Sequence, residues 1–318
     1  MHVPQTLESI VELRYLASVP TQIISPQASK PVIGLAQDSM LGSFLLSQQK
    51  DLTIQETMKI LCAVSAFTET LGQPHINHGD YLWTAPQLMS MYMPDINYRG
   101  SIEINGGQVV KGILDSKNVG KGSGSLFHVT WNDYGPTTTR ELLDSVAFSA
   151  NTWLQIQGFS CGIKDCVLPD PALIKISELI NNALIDAGKM IENAKLGQIP
   201  KGYDPVTYKS EFPKKIMDLM DECRGKVEEY TKNNIDPENF INTMIKCGSK
   251  GKANNLAQIA SMIGQQKIEG NWIGNQLYRR ALPHFSKDDL SPEAHGFVAN
   301  SFMSGLSPTE YYAHAQDG

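Results

Sequence analysis

Apolar residues recur at helical spacing at the very start of the chain, where Leu7, Ile10, Val11, Leu13 and Leu16 predict a helix over residues 6–17. Residues 20–48 then carry strand-like runs broken by turns: Gln22-Ile23-Ile24, Ser25-Pro26, and Pro31-Val32-Ile33-Gly34-Leu35. A second helix is predicted over 53–66, because Thr53 can cap it and Glu56 stands three residues on, the spacing of a reciprocal capping pair. Ile102 and Ile104, then Asn105-Gly106-Gly107, then Val109 and Val110 predict a β-hairpin within 101–115. Asn-Gly suits its turn because both residues tolerate positive φ. The stretch Val119-Gly120-Lys121-Gly122-Ser123-Gly124-Ser125 reads as a flexible turn, and Leu126, Phe127 and Val129 after it look more like a strand than a helix. The clearest helix covers 139–157. Thr138 and Glu141 form its capping pair, Leu142, Val146, Ala150 and Trp153 its core stripe, and Gly158 its end.

Beyond Pro169 the pattern changes. Asp170-Pro171 reads as an N-cap followed by a proline in the first turn. A helix follows through Leu173, Ile176, Leu179, Ile180 and Leu184 towards Lys195, and Gly197, Pro200, Gly202 and Pro205 break it. A second long helix is predicted over 212–232, with Ile216, Leu219, Met220, Cys223 and Val227 on one face. Two amphipathic helices joined by such a loop predict a helical hairpin. Shorter helices are expected near 236–246, 253–266 and 291–304. The fold class is therefore α+β, with a mixed front half, a mainly helical back half and a boundary near 160–170.

Composition narrows the class. The chain has 318 residues, 41% hydrophobic and 19% charged, enough for two or three folded domains. No run of 18 or more apolar residues marks a membrane helix. The N-terminus lacks the basic and apolar regions of a secretory signal, so the chain is expected to start in the cytoplasm or nucleus. Five irregularly spaced cysteines argue against a disulfide framework. Cys161 and Cys166 are the one close pair, with no second pair nearby to complete a zinc site, so free thiols are expected. A net charge of −6 is not the basic balance of a stand-alone nucleic-acid binder. Contact with nucleotides would need local patches or neighbouring subunits.

Candidate chemistry is sparse. Residues 120–125 lack the spacing of a phosphate-binding Gly-x-x-x-x-Gly-Lys-Ser/Thr loop. His75, His78 and Asp80 can be drawn as metal ligands, but a Pro/Gly/Asn loop without helical support reads as solvated. No His-Glu-x-x-His, Gly-x-Ser-x-Gly or Ser/His/Asp constellation is evident. Lys246-Cys247-Gly248-Ser249-Lys250-Gly251-Lys252 is the most basic short segment. Its lysines and freed backbone N–H groups can meet a phosphate, although on its own it also reads as a solvated helix end.

Several blocks carry a resemblance. They are Met1-His2-Val3-Pro4-Gln5, Ile24-Ser25-Pro26-Gln27 with Lys30-Pro31, Gly158-Phe159-Ser160 with Gly162-Ile163, Gly248-Ser249-Lys250-Gly251, Ala257-Gln258, and Gly264-Gln265-Gln266 with Glu269-Gly270. The longest runs Leu282-Pro283-His284-Phe285-Ser286-Lys287-Asp288-Asp289, then Ser291-Pro292-Glu293 and Gly296-Phe297-Val298. In that order they resemble the largest subunit of eukaryotic-type RNA polymerase II and its relatives in large DNA viruses.

The resemblance implies a pore region over 1–165, a funnel region with a long helical hairpin over 166–300, and the start of a bridge helix over 301–318. It places Lys117 and Lys250 near the path by which nucleotides reach the catalytic centre. Gln258, Gln265, Gln266 and His314 match the funnel and bridge-helix surface that binds amatoxin-type inhibitors. None of these performs bond chemistry. The family's Asn-Ala-Asp-Phe-Asp-Gly-Asp motif, which holds catalytic magnesium, sits upstream of its Met-His-Val-Pro-Gln, where this chain begins. Magnesium ligands are thus expected outside this chain, and the chain alone is expected to be inactive. The implied partners are the rest of the largest subunit, the second-largest subunit, template DNA, RNA and nucleoside triphosphates, with no membrane. The implied location is the nucleus, or host cytoplasm and virion for a viral protein. Two features depart from the family: Gln316-Asp317-Gly318 stands where a Met-Gly-Gly pattern is usual, and Asn271-Trp272 and Tyr278 interrupt a segment that is usually more basic. A different class of function, a non-catalytic regulator or decoy that keeps the pore–funnel fold, is told apart by whether flanking reading frames carry the missing motifs.

Overall fold

Short polar signals and apolar runs divide the chain into 11 α-helices and 10 strands among the described residues. The computed structural model describes residues 3–64, 73–77, 80–198 and 204–318. They form two units: Met1–Ser160 with Thr243–Lys250, and Cys161–Asn242 with Gly251–Gly318.

The first unit opens with α1 (Leu7–Tyr15), which Thr6 caps by accepting the Ser9 N–H at 3.2 Å. The helix forms as its spacing predicts, yet Leu7, Ile10, Val11 and Leu13 all remain exposed. An antiparallel ribbon of β1 (Ile24–Ser25) and β2 (Lys30–Pro31) follows. The strand-like reading fails beyond it, because Gln37–Ser47 is a helix, α2. Met40, Leu41, Ser43, Leu46 and Ser47 are all buried, and a helix buried nearly all round shows no apolar periodicity. Gly42 permits the close crossing: a Cβ there would lie 2.5 Å from the Ala150 carbonyl oxygen.

β3 (Leu52–Thr53) runs into α3 (Ile54–Cys62). The expected capping pair forms, with the Thr53 N–H donating to Glu56 Oε2 at 2.9 Å and the Glu56 N–H donating to Thr53 Oγ1 at 3.3 Å. β4 (His75–Asn77) and β5 (Asp80–Trp83) complete a three-stranded sheet of order β3-β5-β4. His75 and Asp80 therefore stand on paired strands rather than in a plain loop, and His78 lies outside the described residues. Thr84 and Gln87 cap α4 (Ala85–Ser90) by the same reciprocal device.

A second sheet joins β6 (Tyr98–Arg99), β7 (Ile102–Asn105) and β8 (Gln108–Gly112). The hairpin predicted here forms, but its turn lies one residue later than Asn-Gly. Asn105 pairs with Gln108, and Gly106 and Gly107 take the positive φ angles, 53° and 75°.

After α5 (Ser116–Val119) the expected strand at 126–129 is instead the start of α6 (Leu126–Gln157). Leu126 and Phe127 are fully buried and Thr130 turns inward with them, so the apolar cluster belongs to a helix packed into the core. Gly135, at φ 79°, and Pro136 kink this helix. Thr138 does not cap a new helix as predicted, because the second arm already starts at the kink, where Thr139 Oγ1 donates to the Gly135 carbonyl at 2.8 Å. The stripe of Leu142, Val146, Ala150 and Trp153 is buried, as expected.

In the second unit α7 (Asp170–Lys195) and α8 (Pro205–Asn234) form the expected helical hairpin, with Ile176, Ile180, Ile216, Met220 and Val227 buried. Two boundaries differ. Pro169, not Asp170, is the N-cap of α7. Pro205, expected among the breakers of the first helix, instead opens α8 seven residues before the predicted 212, because Asp204 accepts the N–H groups of Val206 and Thr207 and proline fits a first turn. α9 (Phe240–Cys247) starts where Asp165 Oδ1 accepts the Phe240 N–H at 2.9 Å. Asp165 Oδ2 accepts the Gly162 N–H at 2.8 Å, and its carbonyl accepts from Asn239 at 2.7 Å. Asp165→Ala is expected to cost about 1–2 kcal/mol in denaturant melts, the scale of a lost cap, with Asp165→Asn recovering most of it. An unchanged midpoint for the alanine variant would show that water replaces the carboxylate.

α10 (Ala253–Ala260) ends before the predicted 266, since Gly264 takes φ 92° and β9 (Gly264–Gln265) pairs with β10 (Phe297–Val298). The helix predicted over 291–304 does not form. Gly296 sits at φ 100°, where a Cβ would meet Ile273 at 2.8 Å, so the segment turns into β10 instead. α11 (Pro308–Asp317) closes the unit, capped by Ser307 and Glu310. The fold is α+β, with small sheets in a mainly helical chain. Among the described residues no helix is long and apolar enough to cross a membrane.

Candidate functional site

The basic surface of the first unit is built from a capped turn. Asp115 Oδ1 accepts the N–H groups of Lys117 and Asn118 at 3.0 and 3.1 Å, which fixes the backbone of α5. Asn118 is buried beneath it. Its Nδ2 donates to the Ile113 carbonyl at 3.0 Å, and its Oδ1 accepts from the Ser101 N–H at 3.2 Å and the Tyr98 hydroxyl at 3.3 Å. Burial, with the Asp115 charge behind it, pushes the Tyr98 hydroxyl above its ordinary pKa, so it stays a neutral donor.

The Lys250 segment rests on this turn. Gly248, at φ 78°, lies so close to Ser116 that a Cβ would sit 2.4 Å from its Oγ. Cys247 is buried in the core of the unit, and the Ser249 N–H donates to the Met244 carbonyl at 3.1 Å. Lys117 and Lys250, 133 positions apart by number, therefore stand on touching segments. Both side chains are exposed, as are Lys121 and Lys246. Among the described residues no carboxylate pairs with Lys117 or Lys250. Such a surface attracts anions.

The second unit brings the other four candidates together. Gln258 is half-buried on α10, and its carbonyl accepts the Phe302 N–H at 3.1 Å. His314 Nδ1, on α11, lies 2.7 Å from Gln266 Oε1. Gln265 and Gln266 are each 3% exposed, which corrects the expectation that all four lie on a surface. Their amides serve the backbone instead: Gln265 Nε2 donates to the carbonyls of His295 and Gln266 at 2.8 and 2.9 Å, and Gln266 Nε2 donates to that of Gly264 at 3.2 Å. Gln258 and His314 are the pair that reaches solvent. Beside them Lys267 Nζ meets Asp221 Oδ2 at 2.6 Å, an ion pair that sequence spacing does not announce. Asp115 carried a legible signal, an Asx residue three before Asn118. The Ser116–Gly248 contact carried none, being purely tertiary.

Among the described residues no group of three or more His, Cys, Asp or Glu side chains is placed to hold a metal ion. Residues 22–166 match the model of RNA polymerase Rpb1, domain 3, and residues 192–298 match that of RNA polymerase Rpb1, domain 4. The chain belongs to the family of the largest RNA polymerase subunit. The two Rpb1 matches follow domain order and together cover about four-fifths of the sequence. Lys117 falls in the Rpb1 domain 3 match, while Lys250, Gln258, Gln265 and Gln266 fall in domain 4 and His314 lies beyond both. As a part of Rpb1 the chain works within a multisubunit DNA-directed RNA polymerase, a nucleotidyltransferase complex.

Proposed function

We propose that this chain frames the path by which nucleoside triphosphates reach the polymerase catalytic centre, with a pore region over 1–165, a funnel region over 166–300 and the start of the bridge helix over 301–318. The observation that carries this reading is the seating of Gly248 on Ser116, which sets exposed Lys117 and Lys250 on adjoining segments. Lysine is a compact, hydrated point charge, suited to drawing a triphosphate inward and releasing it again. In a chain of net charge −6 such a patch offsets the general repulsion of an anionic substrate. Catalytic magnesium is assigned to carboxylates elsewhere in the polymerase, since the Asp-Phe-Asp-Gly-Asp motif does not occur in these 318 residues. Gln258 and His314 form a half-buried edge for funnel ligands, with Gln265 and Gln266 as its buried support. The isolated chain binds no catalytic magnesium and does not extend RNA. Its partners are the remainder of the largest subunit, the second-largest subunit, and, through the assembly, template and transcript.

The test is steady-state kinetics of a reconstituted polymerase carrying Lys250→Ala. Apparent KM for nucleotides is expected to rise about 2- to 5-fold, matching the ~0.5–1 kcal/mol of an exposed charge pair, with kcat retained. Added salt should shrink the difference. A fall in kcat at saturating nucleotide would assign the lysine to chemistry or to a conformational step, and unchanged constants would reduce it to a solvated helix end.

A further inference from the structure

His295 is 2% exposed, yet both of its ring nitrogens face carbonyl oxygens. Nδ1 lies 2.5 Å from the carbonyl of Ile273 and Nε2 lies 2.6 Å from that of Asp289. A carbonyl oxygen only accepts, and a neutral imidazole offers one N–H and one lone pair. Either neutral tautomer would therefore press a lone pair against a carbonyl lone pair, in a place closed to water. Turning the ring over does not help, because it sets ring carbons against both oxygens. The imidazolium alone has a donor for each.

Two further features suit a positive ring. The indole of Trp272 lies parallel to the imidazole, with centroids 3.9 Å apart and planes 2° from one another, and the face of a Trp ring attracts cations. Asp289 supplies the counter-charge. Burial pushes its carboxyl upward, but hydrogen bonds from Ser291 and Ser286 and the charge of His295 hold it below the ordinary value. Lys267, the cation next to the Gln265–Gln266 segment in the chain, is taken up by Asp221.

We infer that His295 is held as a doubly protonated imidazolium, a structural cation that pins the segments of Ile273 and Asp289 to the Gln265–Gln266 segment. The linkage is direct. The His295 carbonyl accepts Gln265 Nε2 at 2.8 Å, and the Gln266 N–H donates to the Gly296 carbonyl at 2.8 Å. Gln266 in turn holds His314 through the 2.7 Å contact of their side chains. His295 is thus a positioning residue for the half-buried Gln258–His314 edge, and this holds whether or not that edge meets a nucleotide.

Nitrogen-15 NMR of the full chain, labelled at histidine, tests the charge. The His295 ring, assigned through bonds from its own backbone amide, is expected to show a proton on each nitrogen in neutral buffer. One protonated and one bare nitrogen would overturn the inference. The positioning part is read at His314. Its ring signals should shift in His295→Gln and return towards the wild-type position in His295→Lys, which restores a cation able to donate to both carbonyls. His314 signals that stay in place in the Gln variant would refute that part, and because the wild-type spectrum reports the charge directly, a variant that fails to fold cannot hide the answer.

Discussion

Trp153→Ala is expected to destabilise the first unit by about 3–5 kcal/mol, the cost of truncating a buried tryptophan when its site cannot collapse. Trp153 is 3% exposed on the second arm of α6, in the same core as Leu41, Leu46, Leu142 and Val146. Gly42 holds α2 against the Ala150 backbone on that face, so the surrounding helices are already in contact and cannot move in to fill the space. One effect pulls the other way. Among the described residues the buried indole Nε1 has no hydrogen-bond partner, and removing an unsatisfied donor returns part of its desolvation cost. The alanine variant therefore falls near the lower end of the range, and Trp153→Phe, which keeps most of the volume and drops the donor, should cost about 1–2 kcal/mol. Denaturant melts followed by circular dichroism decide it; a loss below about 1 kcal/mol for alanine would mean that the stripe is not packed.

Glu310→Ala should cost the second unit about 2–4 kcal/mol, because one carboxylate satisfies four donors. Oε1 accepts the N–H groups of Ala299 and Asn300 at 3.0 and 3.1 Å, and Oε2 accepts Asn300 Nδ2 at 2.8 Å and the Ser307 N–H at 2.9 Å. Burial pushes this carboxyl up, but the bonds from Asn300 and Ser307 outweigh it and hold the pKa below its ordinary 4.5. The sign follows from linkage. The unfolded chain takes up the proton at higher pH than the folded one, so the contribution is full above about 4.5 and is lost as pH falls through the lower folded value. Glu310→Gln should flatten that acid limb of the stability curve. Wild-type and Gln variants losing stability in parallel below pH 4.5 would place the effect on other carboxylates.

Local chemistry was legible before the structure, and tertiary chemistry was not. The Thr53–Glu56 cap and the α7–α8 hairpin rest on residues three or four apart, and sequence spacing reports those directly. α2 was hidden because Met40, Leu41 and Leu46 are buried on several sides, which erases the periodic signal. The helix expected near 291–304 is absent because Gly296 takes a positive φ with Ile273 standing beside it, a tertiary contact that local spacing does not report. At the candidate site the lysines were visible by type and by resemblance. Their meeting through Ser116 and Gly248 was not, and neither was the pair of carbonyls that encloses His295. In both cases the partner comes from a distant stretch of chain.

The kink at Gly135 and Pro136 changes what α6 is mechanically. Unbroken, its 32 residues would make a rod about 48 Å long with a single dipole running end to end. Divided, it becomes one arm of about 14 Å and another of about 33 Å, each with its own positive and negative pole. Bending strain or thermal fraying in the short arm, which carries Leu126, Phe127 and Thr130 next to the Gly/Ser turn, need not be transmitted along a continuous hydrogen-bond ladder to the long arm that grips α2. The joint lets the two arms enter one core at separate angles, each anchored by its own buried residues.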